Sequence, residues 1–194
     1  MHTCCAPCSS AVFELLNKDF NVTSYYYNPN ISPQNEYRRR FGELERFAKT
    51  AGMPLIQGSY DIREWVKEVK EHRFMGERSP RCAACFMFRL RETFKKASLE
   101  GYDIVATVLS ISPHKDAAVI NRIGEQLQDI YGIEFLKADF KKNNGYKRSL
   151  ELSREYGFYR QDYCGCVYSL MERKKDPYWL AKLSSQADIS AVYR

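Results

Sequence analysis

Short apolar, β-rich runs alternate with amphipathic stretches along most of this chain, and that alternation restricts the fold more than any other feature. Residues 21–27 (NVTSYYY) predict a strand. Gln34–Ala51 follows with Tyr37, Phe41, Leu44, Phe47 and Ala48 at helical spacing, closed by Gly52 with Pro54 just beyond. Residues 54–59 predict a second short strand, and Asp61 a helix cap before Ile62, Trp65, Val66 and Val69. A helix over 82–99 stops at Gly101. Residues 103–111 (DIVATVLSI) form the clearest strand, apolar with little alternation, as expected for a strand covered on both faces. A helix over 116–131, a strand over 133–139 and a helix over 149–156 closed by Gly157 complete the alternation. Residues 158–168 predict an ordered loop and 177–183 a short helix.

Strand alternating with helix implies an α/β fold: a parallel sheet with helices on both faces, Rossmann-like and three-layered. A length of 194 residues suits one domain over 1–194, with 158–194 a cysteine-containing loop and short helical tail packed on it. In such sheets sites form at the carboxyl ends of strands. Only Met1, His2 and Thr3 precede the first cysteines, so the first strand is expected to be very short.

Chemistry concentrates in seven cysteines, which fall in three groups: Cys4, Cys5 and Cys8; Cys82 and Cys85; Cys164 and Cys166. An odd number excludes complete disulfide pairing. The chain shows no basic segment followed by an apolar one at its start, and no apolar run near the ~18 residues of a membrane span. A cytoplasmic location with reduced thiols is expected, and no membrane partner. On a helix Cys82 and Cys85 share one face, about 5–6 Å apart. Gly165 lets the backbone of the Cys164-Gly165-Cys166 segment approach a cofactor closely. One zinc takes four ligands, fewer than this chain offers, whereas cysteine thiolates hold iron–sulfur clusters and leave ligands for a second metal. A thioredoxin-like role for Cys82 and Cys85, with a helix start at Ser79-Pro80-Arg81, leaves the other cysteines without a purpose.

Lys and Arg number 30 against 24 Asp and Glu, a net charge of +6, and the basic residues come in clumps among 14 tyrosines. Clumped cations interleaved with aromatics suit RNA, whose bases stack while its phosphates are contacted. The competing reading of each clump, including Arg38-Arg39-Arg40, is a solvated helix face. Tyr146, Lys147 and Arg148, at a helix start after Gly145, form a candidate phosphate site. A non-enzymatic zinc protein that binds RNA also fits charge and cysteines together.

Longer motifs narrow the choice. His2-Thr3-Cys4-Cys5-Ala6-Pro7-Cys8, Tyr26-Tyr27-Asn28-Pro29-Asn30-Ile31, Arg81-Cys82-Ala83-Ala84-Cys85-Phe86-Met87-Phe88-Arg89-Leu90, Leu109-Ser110-Ile111-Ser112-Pro113-His114-Lys115, Asp139-Phe140-Lys141-Lys142, Gly145-Tyr146-Lys147-Arg148-Ser149 and Tyr159-Arg160-Gln161-Asp162-Tyr163-Cys164-Gly165-Cys166 occur in order. This series resembles the QueH type of epoxyqueuosine reductase from the N-terminus to about residue 170. The resemblance implies reduction of epoxyqueuosine to queuosine at the wobble position of tRNA. It implies an iron–sulfur (4Fe–4S) cluster, a second metal ion, taken as iron, and an external electron donor, without cobalamin. It also implies a fold like that of the PP-loop (HUP) nucleotide-binding enzymes, but no phosphate-loop motif for ATP is present. Cys4, Cys5, Cys82, Cys85, Cys164 and Cys166, with Cys8, are the expected cluster and metal ligands, in a division left open. Asp162 and Tyr163 are the expected catalytic residues. Tyr27, Asn28 and His114 join Tyr146, Lys147 and Arg148 as expected tRNA contacts.

Overall fold

Strand β1 is only His2–Thr3, as its few residues require, yet it occupies the middle of the sheet. A computed structural model describes residues 1–183. β1 pairs in parallel with β2 (Ser24–Tyr26), and β2 with β3 (Leu55–Gln57). On its other side His2 bridges Thr107 in parallel, and its backbone N–H donates to the Ala106 carbonyl at 2.8 Å. That bridge joins β1 to the extension of β4 (Ile104–Val105), which pairs with β5 (Glu134–Phe135). The strand order is therefore 3-2-1-4-5, all parallel, with its reversal between β1 and β4.

His2 makes so short a strand hold. Its ring is fully buried, with Nε2 against the Tyr27 carbonyl at 3.3 Å and Nδ1 against Thr107 Oγ1 at 2.9 Å. A carbonyl only accepts, so Nε2 carries the proton and the Thr107 hydroxyl donates to Nδ1. Burial, aided by the Arg89 charge, holds the ring neutral.

Two helical layers flank the sheet. α1 (Ala6–Leu16) packs against α2 (Gln34–Ala51) and α6 (Gly145–Glu155) around Phe13, Leu44, Phe47 and Leu152. α4 (Pro80–Glu100) packs against α3 (Ile62–Val69) and α5 (Ala117–Tyr131), burying Leu90, Phe94, Ile120, Leu127 and Phe135. α7 (Val167–Lys174) and helical residues 177–183 add Tyr168 and Trp179 to a third cluster with Trp65 and Phe88.

Several sequence expectations change. The run 103–111 is a strand only over Ile104–Val105; a 3-10 helix then occupies Val108–Ile111, with the Thr107 hydroxyl capping the Leu109 N–H. All four helical residues are buried, and an apolar run reads alike for a buried strand and a buried helix. The strand over 133–139 contracts to Glu134–Phe135, and the helix over 149–156 begins earlier, at Gly145. α1 and α7 were not foreseen. Residues 184–194 of the expected tail lie outside the described residues.

Candidate metal centre

The first cysteines leave the sheet at its point of reversal. Cys4 follows β1 directly, and Cys5 is the N-cap of α1, which carries Pro7 in its first turn and Cys8 one turn in. A proline is well placed there, because its missing N–H has no intrahelical partner at that point. The three sulfurs lie within 4.8 Å of one another, Cys4 and Cys5 at 3.8 Å. Hydrogen bonds from Cys4 and Cys8 pull the Cys5 thiol well below its ordinary value. The same bonds raise the donors, Cys4 to about 12 and Cys8 well upward. Gln161 Nε2 also donates to Cys5 Sγ, at 3.2 Å. One thiolate with three donors aimed at it is the charge state this arrangement favours.

The other four thiols come from two further elements. Cys82 and Cys85 sit in the first turns of α4, as helical spacing requires. Cys164 ends the loop after α6, and Cys166 is the N-cap of α7, its Sγ accepting from the Ser169 N–H at 3.4 Å. Burial pushes Cys82 up to about 11 and Cys166 to about 12, and a Cys164 thiolate adds to both and to Cys85. Cys164 is thus electrically adjacent to the other three. All seven cysteines are free thiols. A donor set made wholly of sulfur, with Cys4, Cys5 and Cys8 close enough together to share one ion, fits thiophilic metals and iron–sulfur clusters.

Buried cations hold this assembly. Arg40 donates through Nε to Glu36 at 2.7 Å, through Nη1 to the Cys164 carbonyl at 3.1 Å and through Nη2 to the Tyr163 carbonyl at 3.3 Å. Arg81 on α4 donates to Glu172 of α7 at 2.8 Å and lies over the rings of Tyr168 and Trp179. Lys115, half-buried, faces both sulfur groups: burial disfavours its charge, but ionised Cys164, Cys4 and Cys8, the form in which thiols hold a metal, raise its pKa. Arg81 and Lys115 were not expected as site residues from sequence, and Arg40 only within the Arg38-Arg39-Arg40 clump, as a second candidate for phosphate contact. Arg40 had a signal: it stands four residues after Glu36 and four before Leu44, on the inward stripe of α2.

Cys8, Cys82 and Cys164 line a cavity of about 760 Å³ with Lys115, Tyr146, Arg160, Gln161, Asp162 and Tyr163. Asp162 is exposed and accepts from Arg173 Nε at 3.1 Å. The Tyr163 hydroxyl donates to the Ser32 carbonyl at 2.7 Å, and burial raises its pKa to about 12. His114 lies at the cavity edge. The remaining expected RNA contacts are elsewhere. Tyr27 is buried against Tyr25 and Phe88, and Asn28 is fully buried, so neither offers a surface to RNA. Arg148 is engaged with Glu14 of α1 at 3.0 and 2.8 Å, while Lys147 is exposed; neither lines the cavity.

Residues 1–172 match the protein family described as epoxyqueuosine reductase QueH. A relative of that name from Streptococcus pyogenes is 42% identical over 189 residues, covering 91% of this chain and 74% of the relative. One from Thermotoga maritima is 36% identical, covering 90% of this chain and 91% of the relative. Another from Dehalococcoides mccartyi is 35% identical, covering 91% and 94%. The chain belongs to the epoxyqueuosine reductase QueH family. The matched span takes in all three cysteine groups and nearly all of α7. QueH proteins are, by name, oxidoreductases, and one free thiol from each of the three cysteine groups lines the cavity of this member. No helix among the described residues is long and apolar enough to cross a membrane.

Proposed function

We propose that this chain reduces epoxyqueuosine to queuosine at the wobble position of tRNA. The observation that carries the reading is the convergence of three cysteine groups, distant in sequence, on one cavity at the reversal point of the sheet. In this reading Cys82, Cys85, Cys164 and Cys166 hold a 4Fe–4S cluster, and Cys4, Cys5 and Cys8 hold a second metal ion, iron. When bound, these groups supply electrons one at a time and a Lewis-acidic site for oxygen, and no cobalamin is required.

The overall change adds two electrons and two protons to the epoxide and releases its oxygen as water, leaving an alkene. The electrons come from an external donor. The chain's own residues hold the substrate and the protons. Lys115 keeps an ammonium proton at the cavity wall beside the thiolates. Asp162, aligned by Arg173, offers an acceptor to substrate hydroxyls. Tyr163 acts as a shaped wall, its proton engaged with Ser32. Tyr146 and Arg160 at the cavity edge, Nη2 to hydroxyl at 3.5 Å, offer a ring to a splayed anticodon base and a cation to its phosphate. The protein works in the cytoplasm, where tRNA and reduced thiols coexist.

Iron, sulfide and zinc analysis of anaerobically purified protein tests the reading. Iron with acid-labile sulfide, beyond four irons per chain, is expected. Zinc without sulfide would replace it with the zinc-dependent RNA-binding alternative.

A further inference from the structure

Three arginines are almost fully buried, and only two have a carboxylate. Arg40 pairs with Glu36 and Arg81 with Glu172, whereas Arg89, 2% exposed, has no ion pair among the described residues. Its Nε has no hydrogen-bond partner, and Nη2 donates to Asn28 Oδ1. Taking a guanidinium out of water without a counter-ion costs several kcal/mol. A guanidinium buried in this way calls for something negative to be brought to it.

The surroundings show what that is. Arg89 stands one helical turn after Cys85 on the same face of α4. Asn28, fully buried, passes the contact onward: its Nδ2 donates to the carbonyl of Thr3 at 2.8 Å, and Thr3 is bonded to Cys4. One chain of contacts therefore runs from a cysteine of the second group, through Arg89 and Asn28, to the first group. No acidic side chain interrupts it.

We propose that Arg89 is the resident counter-charge of the cluster held by Cys82, Cys85, Cys164 and Cys166, a positioning residue that raises its reduction potential. Asn28 fixes the guanidinium between the two sulfur groups. The inference rests on the cluster reading above. A 4Fe–4S core with four thiolates is negatively charged, and more so after accepting an electron. A fixed cation in a low-dielectric interior therefore stabilises the reduced state more than the oxidised one.

Redox titration of the anaerobic protein, followed by visible absorbance and electron paramagnetic resonance, tests this alongside iron and sulfide counts. Arg89→Met should disfavour one-electron reduction about tenfold or more, a fall of about 59 mV. Arg89→Lys, which keeps the charge, should stay near the parent. Asn28→Asp, which sets a carboxylate against an unchanged Arg89, should fall in the same direction as Arg89→Met and keeps the test decisive if that variant does not fold. An unmoved potential in Asn28→Asp or Arg89→Met, with iron and sulfide at parent levels, overturns the proposal and leaves the cluster reading standing. A parent protein without sulfide overturns both.

Discussion

Arg40 shows how one side chain ties sequence-distant parts of the site together. It is buried, its carboxylate partner Glu36 is nearly so, and its two Nη atoms donate to the successive carbonyls of Tyr163 and Cys164. Arg40→Met leaves Glu36 buried and unpaired, a loss of about 3–5 kcal/mol. Denaturant unfolding should show that drop together with reduced metal content, and an unchanged midpoint would mean that solvent replaces the guanidinium at no cost. The cysteines themselves were legible in the sequence, because thiols in three tight groups have few other uses. Arg40 was not, because Arg38-Arg39-Arg40 reads as one charged run. The structure divides it: Arg38 and Arg39 face solvent while Arg40 faces the core, since α2 turns about 100° per residue. Asn28 and Tyr27 face inward for a related reason. A polar or aromatic residue at a strand end can face the cavity or the sheet's own interior, and here the demand came from the carbonyl of Thr3 and from Phe88.

Among the elements, helix α7 and the turn before it decide whether the last two cysteines reach the site. Gly165 has φ +126°, a backbone conformation that side chains rarely adopt, and a Cβ there would stand 2.9 Å from Arg40 Nη1 and 3.2 Å from Ile31. Gly165→Ala therefore meets both backbone strain of about 1–3 kcal/mol and a clash with the guanidinium that positions Cys164. Metal content per chain should fall while helicity by circular dichroism stays close to the parent. Full metal occupancy in that variant would show that the turn has slack. The alternation of strands and helices was readable because each amphipathic helix repeats its apolar stripe over several turns. α1 was missed because its start coincides with the cysteine motif, and the thiols drew attention from Ala11, Val12, Phe13 and Leu16 at helical spacing. The run 103–111 misled because burial alone, with no alternation, says nothing about period.

For the molecule as a whole, the strand order 3-2-1-4-5 places the cavity where β1 and β4 diverge, so that their following segments deliver Cys8 from one side and Lys115 from the other. On the proposed function, RNA approaches over the rim of that cavity. Arg160 is there with a hydroxyl of Ser153 and one of Tyr146 for partners and no carboxylate among the described residues, whereas Arg148 is neutralised by Glu14. Arg160→Ala should weaken tRNA binding and reduce its log–log salt slope by about 0.7–0.9, and Arg148→Ala should leave the slope unchanged. The reverse pattern would place the RNA over α6 instead. On the proposed function these seven thiols serve a reduction. Protein purified without cobalamin, chemically reduced under anaerobic conditions and mixed with tRNA carrying epoxyqueuosine, tests it most directly by nucleoside analysis of the digested tRNA. Queuosine should appear at the expense of epoxyqueuosine; unchanged epoxyqueuosine from protein holding its full iron and sulfide would contradict the account.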